Sequence, residues 1–555
     1  MKEMVLLGDE ALAVGALHAG VSGCFGYPGT PSTEILEYLV ENYTNNGGPV
    51  AQWCANEKTA YESALGVSFA GKRALVTMKH VGLNVAADPF MNSSLCQIKG
   101  GLVCLVADDP SMHSSQGEQD TRFYADFAMV PLFEPVNQQE IYEMMAEAFE
   151  VSERFHVPVI MRLVTRLAHS RAVVKVADTV RSENPLEKGS PADWMLLPAL
   201  ARKNYAKMID KQGELALWAS SWPRNKLVLN PKRSDLAIIT SGLGRNYYEE
   251  NLDDYTAFCG AAGLPSALHI ASMPLPVDLI NTLAASAETI LVIEEGMPFV
   301  EKQLKGLIPG RNRIIGKFTG HLPRAGELNP DNVRLALGLK PLATALDGVT
   351  IPELPARPPQ LCKGCPHGDS YTALNQAVAF LNEREGAVST VVAADIGCYA
   401  LGAVPPLMAV ETIVCMGASV GMARGASEAG YKYCFGVIGD STFLHSGLTG
   451  LVDCVASNTP VTILILDNSS VAMTGCQPTM LPSAQLAESV RGLGVDPAHI
   501  RVIEAKPGQI EQNKQILIEE AEYRGVSVVI LYRECLEALR IRRKEDARRE
   551  KQTNA

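Results

Sequence analysis

YCFGVIGDSTFLHSGLTGLVDCVASNTPVTILILDNSSVAMTGCQ, residues 433–477, is the stretch that decides the architecture. Phe435–Ile438 is a short apolar run that halts at Gly439-Asp440-Ser441, and a helix-like segment follows over Phe443–Ser457, leaving at Pro460. Val461–Leu466 is a second apolar run, ending at Asp467-Asn468. Continuous apolar runs of this length, alternating with a helix, read as buried parallel strands of a βαβ unit. In such a unit both strands finish on the sheet edge where ligands bind, so Asp440 and Asn468 are expected side by side. A carboxylate, an amide oxygen and nearby backbone carbonyls suit a hard cation such as Mg2+, which readily shares phosphate ligands. The Gly439 turn and the N-terminus of the next helix offer free N–H groups to the same anion. Taken singly, the Asp reads as a helix cap and the Asn as a turn residue. The pair at this spacing reads as a site.

Length and composition frame that unit. A chain of 555 residues has room for about three domains with ample cores. A charged content of 20% marks it as globular, and a net charge of −12 argues against a general nucleic-acid binder. The longest apolar stretch, Val391–Val410, is broken by Asp395, glycines and prolines, so no membrane span is expected. The N-terminus lacks a secretory layout, and thirteen scattered cysteines suit a reducing cytoplasm.

Met4–Gly8 reads as a strand, Glu10–Ala19 as a helix and Val21–Tyr27 as a strand ending in the turn GYPGTPST. Ser32 or Thr33 would cap a helix beginning near Glu34, and the turn is anion-friendly or a plain βα connection. A further helix starts near Asn56 with Glu57 on its first turn, where a carboxylate also serves the helix dipole. His80 and His113 lie in separate strand-to-loop edges, either solvated, satisfied by backbone, or available for acid–base work. Val157–Arg162 is a closing strand. From Arg181 to about Pro231 the composition shifts to that of a connector without clear strand alternation, and Leu236 onward alternates again as far as Ile290–Gly296. Pro352–Pro359 is a proline-rich linker. Cys362 and Cys365 form a CxxC, but a zinc site would need a second ligand pair that does not follow at the usual spacing.

Gly439-Asp440-Ser441 followed by Asp467-Asn468 resembles the diphosphate-and-magnesium motif of thiamine diphosphate enzymes, with Ser441 at the place of the usual second glycine. GDSTFLHSGLTGL and LDNSSVAMTG are more specifically similar to the large (alpha) subunit of indolepyruvate ferredoxin oxidoreductases, and the likeness extends in order along nearly the whole chain. The resemblance implies an α/β fold: two thiamine-diphosphate-type doubly wound parallel-sheet domains with a smaller transketolase C-terminal-like α/β domain between them. The implied divisions are a pyrimidine-binding domain (1–180), a connector (181–234), the transketolase-like domain (235–345), a diphosphate-binding domain (355–540) and a charged tail (541–555). The resemblance makes Asp440, Asn468 and the Ser470 carbonyl the Mg2+ ligands, with Gly439 and Ser441 against the diphosphate. Asn56-Glu57-Lys58 matches the family's NEK motif, which makes Glu57 the carboxyl on the pyrimidine N1′ that activates the cofactor. Tyr27–Pro31 matches a YPxTP turn and places Thr30 near the 2-oxoacid carboxylate. Arg122, with Gln119 and Asp120, would orient substrate, and His80 and His113 become catalytic. Cys362, Gly364, Cys365, Pro366 and His367 match a CxGCPH-like turn beside the cofactor, with His367 facing the site. Cys398 and Met416-Gly417 match cofactor-cradling loops, Met416 being the apolar prop.

The activity so implied is oxidative decarboxylation of an aryl 2-oxoacid to its acyl-coenzyme A. A smaller beta subunit and ferredoxin or another electron acceptor would complete the system, and two copies of this chain would pair. The family's large subunit continues into a ferredoxin-like segment with two CxxCxxCxxxCP runs. After Cys476 only Cys535 remains here, so iron–sulfur clusters are expected on a partner. A non-oxidative thiamine-diphosphate-dependent decarboxylase or carboligase is the alternative.

Overall fold

In the computed structural model, which describes residues 2–260, 263–308, 310, 312–342, 359–386 and 389–553, the chain forms two compact units, Met1–Ile351 and Pro352–Ala555. The second unit is built on six strands, all parallel, in the spatial order Thr412–Ile413, Thr390–Ala394, Tyr433–Gly439, Val461–Asp467, Val526–Tyr532, Ile500–Glu504. Numbered along the chain this is 2-1-3-4-6-5. The strands read as unbroken apolar runs because both faces are buried. Phe435, Val437, Leu464 and Leu466 point into one core, while Cys434, Ile438, Ile463 and Ile465 point into the other. Order reverses between the strands at 390–394 and 433–439, and such a switch point opens a crevice at the carboxyl ends.

The first unit repeats that topology. Its larger sheet runs Val50–Trp53, Val21–Gly26, Arg73–Lys79, Leu102–Asp108, Val159–Val164, Leu132–Phe133, again 2-1-3-4-6-5 and parallel. A second sheet of five strands aligns Arg313–Ile315, Thr289–Glu294, Leu236–Ser241 and Ser266–Ile270 in parallel. One hydrophobic core runs through both sheets, from Leu6 to Leu339.

Several elements add to or differ from the sequence expectations. Lys2–Leu7 does not enter the parallel sheet but pairs antiparallel with Arg171–Val176. Its alternating exposure marks an edge ribbon, where a parallel strand would be buried on both faces. To the six parallel strands of the larger sheet, Ser272–Met273 adds a short edge strand antiparallel to Leu132–Phe133. The connector is not strandless: Lys226–Val228 joins the five-stranded sheet antiparallel to Ser266–Ile270. It also carries the helix Pro198–Ser221, whose Trp218, together with Trp222 just beyond it, packs on Phe133 at centroid distances of 5.6 and 4.6 Å. Neither Ser32 nor Thr33 caps its helix. The Ser32 hydroxyl donates to Gly29 O and the Thr33 hydroxyl accepts from Gly29 N–H, so both hold the turn instead. The helix expected from Phe443 starts at Asp440 and passes through a π-turn at Phe443–Gly447 before Leu448–Ser457. The charged tail belongs to a helix that begins earlier, Leu536–Thr553. Residues 352–358 of the proline-rich linker lie outside the described residues.

A buried charge network ties the two sheets of the first unit together. Arg162, with no exposed side-chain surface, reaches Asp108 at 2.6 Å, Asp120 at 3.7 Å and Glu134. Arg122 pairs with Asp120 at 2.5 Å and with Glu294, from the second sheet, at 2.8 Å. Removing one partner from such a set strands the others without compensation, at about 3–5 kcal/mol. Arg162→Met is therefore expected to lower unfolding free energy by about that amount in urea denaturation, and a loss below about 1 kcal/mol would show that the carboxylates find other partners.

Candidate functional site

The carboxyl ends of the second unit's strands gather one set of candidates. The register Gly439↔Leu466 places Asp440 beside Asp467 on adjacent parallel strands. Asp440 is buried; its Oδ1 accepts from Ser441 N–H at 2.8 Å, whereas Oδ2 has no hydrogen-bond partner among the described residues. Burial first, and then the neighbouring Asp467 carboxylate, hold the Asp440 carboxyl well above its ordinary range. The Asn468 amide is oriented at both ends: Oδ1 accepts from Ser470 N–H at 3.2 Å, and Nδ2 lies 3.3 Å from His367 Nε2. Ser470 is buried, and its hydroxyl too lacks a partner among the described residues. Unspent acidic and polar oxygen at one buried point is the donor set a hard divalent cation takes.

His367 is buried on the helix Pro366–Glu385, and burial, helped by Arg533, lowers its pKa to about 4. A neutral imidazole presents one bare nitrogen, and here Nε2 accepts from the Asn468 amide while Cys398 Sγ stands 3.3 Å away. Burial pushes the Cys398 thiol up to about 12, so it stays protonated. Cys365 supplies the N-cap backbone of the His367 helix and is likewise raised by burial. Gly417, at φ +82, opens the helix Ala418–Glu428, and a Cβ there would stand 2.6 Å from Ser446 Cβ. Met416 beside it is half-buried. Gly439 needs no special φ but has no room for a side chain: a Cβ would meet the Tyr399 ring at 2.6 Å.

The first unit assembles the second set at the equivalent strand ends. Glu57 is buried on the first turn of Glu57–Phe69, N-capped by Asn56, whose side chain accepts from Thr59 N–H. Its carboxyl lies against Gly82, where a Cβ would stand 2.7 Å from Oε1. Lys79 is near both Glu57 and Asp109, and its Nζ donates to Ser114 O at 3.2 Å; burial nonetheless lowers its pKa. The Ser114 hydroxyl donates to Thr30 O, and Lys79 packs under Gly29, so the Thr30 turn and the Glu57 helix meet over one lysine. His80 is buried, with Nε2 3.0 Å from Gly117 O and Nδ1 lacking a partner among the described residues. His113 is more exposed, with 53% of its side chain accessible and Nε2 3.5 Å from Glu327. Arg122 is the expectation to withdraw. It is fully enclosed and donates to Asp120, Glu294, Glu295 O and Met297 O, so no N–H faces a substrate.

Comparison with known proteins adds the family. Residues 14–194 match the pyruvate flavodoxin/ferredoxin oxidoreductase thiamine-diphosphate-binding domain, and residues 395–529 match the thiamine pyrophosphate enzyme C-terminal TPP binding domain. The chain is 36% identical to the indolepyruvate oxidoreductase subunit IorA of Archaeoglobus fulgidus, covering 96% of this chain and 86% of that one. It is 35% identical to IorA of Methanothermobacter thermautotrophicus and 34% identical to IorA of Pyrococcus abyssi, with similar coverage. The chain belongs to the IorA family. As an IorA-family protein with both cofactor-binding domains, it is a thiamine-diphosphate-dependent oxidoreductase subunit.

Sequence reasoning passed over three residues of these clusters. Asp467 was read only as the end of a strand, although parallel pairing of the two runs already puts it against Asp440. Lys79 is signalled by its place at the end of a fully buried strand. For Tyr399 nothing local reveals that its ring occupies the space above both Gly397 and Gly439.

The raised Asp440 pKa fixes a sign. The folded chain retains a proton that the unfolded chain releases above about pH 4, so metal-free stability falls as pH rises from there toward the folded value. Asp440→Asn removes this loss. The metal-free variant is expected to melt about 2–4 °C higher than the wild type at pH 7.5, with a flatter pH dependence. It should also lose the stabilisation given by Mg2+ with thiamine diphosphate in differential scanning fluorimetry. A lower metal-free melting temperature in the variant would contradict the burial argument.

Proposed function

We propose that this chain is the catalytic large subunit of an enzyme that oxidatively decarboxylates an aryl 2-oxoacid of the indolepyruvate type and passes the acyl group to coenzyme A. The observation that carries the reading is the unpartnered Asp440 oxygen at the sheet's switch point, one residue from Asn468's strand neighbour Asp467, in a chain whose relatives are named indolepyruvate oxidoreductase subunits. Asp440, Asn468 and the Ser470 carbonyl would hold Mg2+, and Gly439, Ser441 and the N–H groups opening at Gly417 would receive the diphosphate. When bound, thiamine diphosphate supplies a carbon nucleophile and an electron sink for decarboxylation.

The chain's own residues have separate tasks. Glu57 would hydrogen-bond the cofactor's pyrimidine nitrogen, and its burial against Gly82 keeps water from competing for that contact. Thr30 receives the substrate carboxylate, beside the Lys79 ammonium. His80, with one nitrogen uncommitted, moves a proton at the reacting oxygen, and His113 serves as the outer acid–base group. His367 acts by positioning, holding the Asn468 amide so that its oxygen faces the cation. Met416 props the cofactor, and Cys365 and Cys398 line its cradle. Iron–sulfur clusters on a partner, a smaller beta subunit and ferredoxin would take the electrons, and two copies of this chain would pair. The cysteines, all of them free, fit a reducing cytoplasm, and no helix among the described residues is long and apolar enough to cross a membrane.

A single-turnover assay with Mg2+, thiamine diphosphate and indolepyruvate or phenylpyruvate tests the reading. Acyl-coenzyme A is expected only when coenzyme A, an electron acceptor and the partner subunit are supplied. Steady aldehyde release without an acceptor would make the chain a non-oxidative decarboxylase. Glu57→Gln should lower decarboxylation by about 10²–10⁴-fold with an unchanged melting temperature, and normal turnover in that variant would remove Glu57 from its role.

A further inference from the structure

Asp9 is fully buried, yet neither of its carboxylate oxygens has a hydrogen-bond partner among the described residues. Glu34 Oε2 is also without one, and Glu34 Oε1 stands 3.5 Å from His169 Nε2. One ligand atom from each of Asp9, Glu34 and His169 falls within 4.8 Å of the others. The convergence is built by the fold. The antiparallel ribbon Lys2–Leu7 with Arg171–Val176 ends where Leu7 pairs with Arg171, the Gly8 N–H then donates to Ser170 O at 3.2 Å, and Asp9 follows on the first turn of the helix Gly8–His18. Gly8 permits the approach, since a Cβ there would stand 2.2 Å from Leu167 O. Glu34 arrives on the first turn of Thr33–Asn42.

We propose that Asp9, Glu34 and His169 form a second metal site, separate from the Asp440 cluster, that binds a divalent first-row transition ion of the Zn2+ or Mn2+ kind. Burying the Asp9 carboxylate with unsatisfied oxygens beside a second carboxylate is costly unless a cation or proton intervenes. The His169–Glu34 pair at 3.5 Å engages only Glu34 Oε1 and leaves both Asp9 oxygens and Glu34 Oε2 without a hydrogen-bond partner among the described residues. An ion uses all three groups. Two ligands on a tetrahedral Zn2+ at about 2.1 Å stand about 3.4 Å apart, which matches the Glu34–His169 separation. An imidazole in the set favours a transition ion over Mg2+ or Ca2+. The side chains of Glu34 and His169 are 36% and 33% exposed, which leaves an entry path and room for water ligands. Thr33, beside Glu34, accepts the Gly29 N–H, so the ion would fasten the helix that carries the Tyr27–Pro31 turn.

The test is isothermal titration of chelator-treated full chain with Zn2+, and separately Mn2+, in the absence of thiamine diphosphate. One site per chain is expected. It should be lost in Asp9→Asn, be weakened at least tenfold in His169→Gln, and persist in Asp440→Asn. Asp9→Asn keeps the shape of the side chain, and a circular dichroism melt of each variant separates lost binding from lost folding. Zn2+ affinity unchanged in both Asp9→Asn and His169→Gln would overturn the proposal. So would the absence of binding in a folded wild-type chain whose Asp9–Glu34 pair titrates with one shared proton.

Discussion

Parallel pairing at the end of the Asp440 strand is the constraint on which the rest depends. It forces Asp440 and Asp467 into the same buried neighbourhood, where two negative charges cannot both be left bare. The cost is concentrated at the carboxyl edge of the sheet, beside a switch point, where a cation and the diphosphate it carries would relieve it. Such a concentration of cost at one place is what a binding site shows before its ligand arrives. The surrounding packing supports this rather than relaxing it: Tyr399 closes over Gly439, Gly417 gives its helix a close approach to Ser446, and the π-turn at Phe443–Gly447 follows directly.

The same 2-1-3-4-6-5 strand order in both units explains where the candidate residues lie along the chain. Thr30, Glu57, His80 and Ser114 follow strands one to four of the first unit, and Cys398, Gly417, Asp440 and Asn468 follow strands one to four of the second. Equivalent positions carry different chemistry. Where the second unit has Asp440, poised for a cation, the first has His80; where the second has Gly417, the first has Glu57. One strand order thus presents carboxylate and amide groups at its edge in one copy and glutamate and histidine in the other.

Much of this was legible without coordinates because buried parallel strands write themselves as uninterrupted apolar runs, and the residue that ends each run is the residue at the edge. Phe435–Ile438 and Val461–Leu466 needed nothing more. What escaped were contacts decided by distant chain. Lys226–Val228 is three residues long and becomes a strand only because Ser266–Ile270 presents an open edge. Lys2–Leu7 looks like any opening strand, and only its partner at Arg171–Val176 excludes it from the sheet. The family resemblance suggests Arg122 as a substrate-orienting residue, and the contacts that hold it elsewhere are not visible in the motif. Besides the neighbouring Asp120, the arginine's partners are Glu294 and the Glu295 and Met297 carbonyls, which lie far along the chain at and just beyond a strand of the second sheet.

His367 shows how burial can matter through what it removes. A charged imidazole beside Asn468 would repel the cation and would have no lone pair at Nε2 to accept the amide. Burial, with Arg533 nearby, keeps the ring neutral, so the amide N–H turns toward His367 and the amide oxygen is left for the Ser470 N–H and a metal. The direction of one side-chain amide therefore depends on a helix that begins at Pro366, a long way from the motif that contains the asparagine. Sequence motifs identify the atoms that would touch the cofactor. The groups that aim those atoms are spread over the fold, and their contribution is to fix a protonation state and an orientation before any ligand arrives.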